Sequence, residues 1–105
     1  MQIIEQVKAL LGISDNLQDD LLEVIQELTE AHFMAYTGQS LIPTPLEFIV
    51  VEIMVKRFNR IGSEGMKSQK VEGLAVDFAI DDFLEYDKVI KRHFSDQYQA
   101  GFKML

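Results

Sequence analysis

Thr44-Pro45-Leu46-Glu47-Phe48-Ile49-Val50-Val51-Glu52-Ile53-Met54-Val55-Lys56-Arg57-Phe58-Asn59-Arg60-Ile61 is the stretch on which the fold turns. It opens as a helix start. Thr44 stands in the capping position, Pro45 at the first helical position, and Glu47 three residues after the cap. Leu46, Ile49, Val50, Ile53, Met54, Phe58 and Ile61 then put apolar side chains on several sides of the helix. A helix that is apolar on several sides is buried on several sides, so this one is expected at the centre. Lys56, Arg57 and Arg60 fall in its last turns, where positive charge complements the carbonyl end. Gly62 is expected to end it.

Upstream, Ile3, Ile4, Val7, Leu10 and Leu11 recur at spacings of three and four, which predicts a helix over about 2–11 closed by Gly12. Ser14, Asp15 and Asn16 are all good caps, and a second helix is expected from about Asp15 to Thr37, with Gly38 after it. Its stripe reads Leu17, Leu21, Ile25, Leu28, His32 and Tyr36, widened by Leu22, Val24 and Phe33. Downstream, residues 62–80 show no helical period and are punctuated by Gly62, Gly65 and Gly73. Within them Leu74, Val76, Phe78 and Ile80 alternate with Ala75, Asp77 and Ala79, a short strand signal. A lone strand leaves backbone groups unpaired, so it must form a hairpin, lie on a surface or pair with another chain. A fourth helix is expected over about 82–94, with Phe83, Tyr86, Val89, Ile90 and Phe94 inward. Residues 96–105 then form a tail, flexible until docked, that still carries Tyr98, Phe102, Met104 and Leu105. The fold class is all-α: a small bundle of about four helices, with a long glycine-punctuated loop or short β-hairpin between the third and fourth.

Composition sets the bounds. With 105 residues, 48% apolar and 26% charged, the chain is an ordinary globular domain. Area scaling lets it bury about 65% of its unfolded surface, enough for one modest core. The absence of Cys excludes disulfides and thiolate metal sites. No apolar run approaches the ~20 residues of a membrane helix, and Met1-Gln2-Ile3-Ile4-Glu5 lacks the basic start of a signal peptide.

The net charge of −7 is unevenly placed. Residues 1–52 carry nine acids and one base, Lys8, whereas residues 53–70 carry five bases and one acid, Glu64. An acidic first half argues against nonspecific DNA wrapping. A chain with an acidic face and a compact basic patch can attract a second copy head to tail, and such contacts close into rings when the rotation permits.

Chemistry is sparse. His32 lies in an apolar stripe and reads as a satisfied core or interface histidine. His93 follows Lys91-Arg92 near a helix end and reads as dipole compensation. Asp19-Asp20 and Asp81-Asp82 read as helix-start charge, because adjacent carboxylates on a helix point different ways. Gly62-Ser63-Glu64-Gly65-Met66-Lys67-Ser68 misses the phosphate-loop spacing and follows a helix instead of a strand. A helix-turn-helix at Gly12 would lead with an acidic helix, which phosphates repel. The residues therefore point to a binding or assembly protein, with no enzyme site, cofactor or metal expected.

Tyr36-Thr37-Gly38, Ile42-Pro43, Arg57-Phe58-Asn59-Arg60-Ile61-Gly62-Ser63-Glu64-Gly65-Met66-Lys67-Ser68-Gln69, Glu72-Gly73 and Phe78 together resemble the head–tail connector (head-completion, or adaptor) family of tailed phages, often described as DNA-packaging proteins. The likeness spans about residues 5–95, and its most specific part is the Arg-x-Asn-Arg-x-Gly-x-Glu-Gly stretch from Arg57. Val71, Leu74, Ala75 and Val76 make the loop more apolar than the Ser- and Gly-richer loops of relatives. The resemblance implies a connector domain over 1–95 that forms a dodecameric-type ring in the virion, below the portal protein, and bridges it to tail-completion proteins; for the chain alone, a monomer or another ring order stays open. DNA would pass through the channel without sequence-specific binding. The place implied is the virion head–tail junction, after assembly in the bacterial cytoplasm. Expected at the subunit interface are Lys56, Arg57, Arg60, Glu64, Asp19, Glu23, Glu27, Leu74, Val76 and Phe78, with the basic cluster facing the acidic second helix of a neighbour. Tyr98, Phe102, Met104 and Leu105 are expected to dock on the portal. The competing reading is a small helical regulatory or adaptor protein acting as a dimer.

Overall fold

The computed structural model describes residues 2–63 and 82–102. They form α1 (Ile3–Leu11), α2 (Asp19–Thr37), a 3-10 turn (Thr44–Leu46) running into α3 (Glu47–Ser63), a helical turn at 82–84, and α4 (Asp87–Phe102). All the regular structure among the described residues is helical, with no strand among them. The expected loop or hairpin, and with it Glu64, Leu74, Val76 and Phe78, lies outside the described residues.

α3 is the central element. Leu46, Ile49, Val50, Val51, Ile53 and Met54 are all buried, and α1 and α2 pack against them through Val7, Leu22, Ile25 and Phe33. Each fully buried aliphatic side chain contributes roughly 1.5–3 kcal/mol, and α3 supplies more of the core than any other helix described. Phe83, Tyr86 and Ile90 close the core from the C-terminal side.

Gly12 and Gly38 end α1 and α2 as expected, both at φ 74°. At Gly12 the Gly12 N–H donates to the Ala9 carbonyl and the Ile13 N–H to that of Lys8, the paired bonds of a Schellman close. At Gly38 a single bond to the Met34 carbonyl does the same work.

Five boundaries and one stripe differ from expectation. α2 starts at Asp19, not Asp15, because Asp15 Oδ1 accepts from the Leu17 N–H in a local turn and the Asn16 carbonyl accepts from the Asp19 N–H. Thr44 lies inside the 3-10 turn and Pro43 is its cap residue. α3 runs through Gly62 to Ser63, since a helical glycine costs only about 1 kcal/mol against alanine. The fourth helix is broken by a turn at 85–86, and its second part continues past Phe94 to Phe102, which puts Tyr98 on a helix. The buried face of α2 is Leu22, Ile25, Thr29 and Phe33, while Leu17, Val24 and Leu28 are exposed.

Candidate functional site

Asp82 is the one buried charged residue among those described, 5% exposed. Two residues one turn apart on α3 reach it. Arg57 Nε donates to Oδ2 at 2.9 Å, and Arg60 donates through NH2 to Oδ1 at 2.9 Å and through NH1 to Oδ2 at 3.3 Å. Burial opposes ionisation of Asp82 most strongly. The hydrogen bonds and charges of Arg60 and Arg57 together outweigh it and hold the carboxyl below its ordinary range.

Arg57 also reaches back to α2. Its NH1 donates to Thr29 Oγ1 at 3.3 Å and lies 3.1 Å from His32 Nδ1. Guanidinium has no acceptor, so Nδ1 must accept and carry no proton. Burial, and next the Arg57 charge, push the His32 pKa down, consistent with that neutral state. His32 is thus a satisfied, half-buried histidine. The other Arg57 terminal nitrogen is buried without a hydrogen-bond partner among the described residues.

The residues after Asp82 extend the attachment. Phe83 is fully buried, edge-on to Phe33 at 6.0 Å and stacked on Tyr36 at 5.4 Å. Glu85 pairs with Lys56. The Tyr86 hydroxyl donates to Glu52 Oε1 at 2.6 Å, while its ring meets Phe48 edge-on and lies under the Lys56 ammonium. Burial, then the bond to Glu52, raise the Tyr86 pKa. The Tyr36 hydroxyl donates to Asp87, which pushes Tyr36 up to about 12 and, with help from Lys91 at 3.0 Å, draws Asp87 down. An open groove of about 710 Å³ lies between the end of α2 and α4, lined by Tyr36, Thr37, Asp87, Ile90, Phe94 and Ser95.

Residues 82–87 are therefore clamped to α2 and α3 by two arginines, an aromatic pair and two tyrosine hydroxyls. Chain leaving α3 at Ser63 re-enters the described structure at Asp82, where Arg60 grips it. The clamp ties Asp82 to the last turns of α3.

The residues expected at an interface are found as follows. Arg57 and Arg60 converge on Asp82, and Lys56 pairs with Glu85 and stacks over Tyr86. Asp19 pairs with Lys8 at 2.9 Å. Glu23 and Glu27 are exposed on α2. Tyr98 and Phe102 lie on α4, and Met104 and Leu105 fall outside the described residues. Sequence reading took Asp82 for helix-start charge and missed its role as a counterion. The available signal was Arg57 and Arg60 three residues apart on a largely buried helix, which demands an anion.

Among the described residues no cluster of His, Asp and Glu could hold a metal, and no helix is long and apolar enough to cross a membrane. The assembled group is a mechanical fastening built of ion pairs and rings. In comparison with known proteins, the profile of the family described as Phage gp6-like head-tail connector protein matches residues 1–93. No curated protein and no solved structure matches the chain significantly. That family is one of structural connectors, not of enzymes. Its match covers all of α1, α2 and α3 and the clamped turn, and the chain belongs to this family of phage head–tail connectors.

Proposed function

We propose that copies of this chain form a closed ring of the dodecameric type below the portal of a DNA-filled capsid. The ring bridges the portal to the tail-completion protein, and DNA passes through the centre. The head–tail joining role follows from family membership over residues 1–93, which is the observation that carries this reading. The ring is supported by the uneven placing of charge along the chain, an acidic first half followed by a basic stretch. Heterologous contacts between unlike surfaces are the kind that close into rings.

The clamp suits this role. It anchors the chain to α3 at Asp82, and Leu74, Val76 and Phe78 of the preceding stretch meet a neighbouring subunit. Acidic side chains facing the channel would keep DNA from adhering, since like charges repel phosphate. The interface reading for Lys56, Arg57 and Arg60 acquires a constraint, because all three already serve carboxylates of their own chain. The end of the chain, with Tyr98, Phe102, Met104 and Leu105, docks on the portal.

Complementation tests both parts. Particles lacking the chain are expected to lose tails and leak their genome, and the full chain supplied in trans restores both. A chain ending at residue 95 keeps its core, which closes with Phe94, but fails to bind portal-bearing capsids. Tails that join without the chain refute the joining role in this particle, and portal binding by the shortened chain refutes the docking role of the tail.

A further inference from the structure

The positive charges of the described residues divide sharply. Lys8, Lys56, Arg57, Arg60 and Lys91 each hold a carboxylate of the same chain. Lys88 and Arg92 are exposed on α4, one turn apart, and make no ion pair among the described residues. Exposed Val89 lies beside them, 44% accessible. Lys91, 76% exposed at its side chain, adds a third cation. Ile90, buried, marks the opposite side of the helix.

α2 carries the complementary face. Opposite its buried Leu22, Ile25, Thr29 and Phe33 run two lanes at helical spacing. One is acidic: Asp20, Glu23 and Glu27, all exposed and none in an ion pair among the described residues. The other is apolar: Val24 and Leu28, continued by exposed Ala31 and Ala35. Nothing among the described residues covers either lane. An apolar lane bordered by unspent negative charge matches an apolar residue bordered by unspent positive charge, in both sign and pattern.

We infer that the acidic lane and Val24–Leu28 of one copy dock on the Lys88–Val89–Arg92 face of α4 of the next copy. This inference rests on the ring reading and names its contact. It also moves the basic half of that contact from the α3 cluster, whose charge is used internally, to α4. Each copy offers one face of each kind, so the contact is head to tail and propagates until it closes.

Charge reversal tests it without disturbing the core, since all four positions are exposed. E23K/E27K makes both faces basic, and K88E/R92E makes both acidic. At low ionic strength the wild type is expected to sediment as a large oligomer. Each variant alone, with unchanged helical circular dichroism, should associate about tenfold or more weakly. An equimolar mixture of the two variants should recover the oligomer, with the variants alternating. If the wild type assembles and the single variants assemble equally well, or if the mixture fails to recover, the faces are wrong and the ring reading stands. If the wild type stays monomeric, the ring reading falls and this contact with it.

Discussion

Asp82 is held by Arg57 and Arg60 at 2.9 Å, nearly sealed from water. Such a group weakens the fold when its partners are lost far more than the intact pair strengthens it. Asp82→Asn keeps the shape but leaves two guanidinium groups facing a neutral amide. It is expected to destabilise the domain by about 3 kcal/mol, read as a lower urea midpoint. The pH dependence follows from the direction of the shift. The folded-state pKa of Asp82 lies below its unfolded value of about 3.9. Its contribution is therefore fully present above that value and is lost as pH falls through the folded pKa. The stability gap between wild type and Asp82→Asn should be constant at neutral pH and close only in acid, below about pH 4. A gap that instead changes as pH falls through about 6.5 and below would assign the effect to His32, whose pKa burial and Arg57 lower. Asp82 was not legible in the sequence as a counterion, because its partners lie 22 and 25 residues away and its neighbour Asp81 makes the pair look like an ordinary helix start.

At the scale of elements, α3 was legible and the ends of its neighbours were not. An apolar pattern on several sides of a helix has one physical outcome, burial at the centre, and Ile49, Val50, Ile53 and Met54 are fully enclosed. Helix starts are decided by competing local bonds of similar strength. At 15–19 the side chain of Asp15 and the carbonyl of Asn16 form a turn that defers α2, while Lys8 ties Asn16 and Asp19 to α1. The short turn at 82–86 owes its place to tertiary contacts, chiefly Phe83 between Phe33 and Tyr36. Phe83→Ala removes that wedge and should cost about 3–5 kcal/mol. Hydrogen exchange should show amides 82–94 losing protection before those of α1 and α3. Equal loss across all helices would mean that the clamp is no separate unit.

For the whole molecule, the segregation of charge was legible in the sequence, but not which charges folding pairs within the chain. Lys56, Arg57 and Arg60 stood out in the sequence as a basic patch; folding pairs Lys56 with Glu85 at the surface and turns Arg57 and Arg60 onto the buried Asp82. Among the described residues, Asp20, Glu23 and Glu27 on α2 and Lys88 and Arg92 on α4 are exposed and make no ion pair. No linear reading separates used from unused charge, because that requires the tertiary pairings. On the proposed ring reading, these charges on α2 and α4 mark the two unlike faces that repeat around the circle.

Native mass measurement of the purified chain across ionic strength tests this account most directly. A single closed species many times 12.0 kDa at low salt, giving way to smaller forms as salt screens the contact, is the expected result. A particle that stays at 12.0 kDa throughout, or stops at a two-fold dimer joined by identical patches, contradicts it.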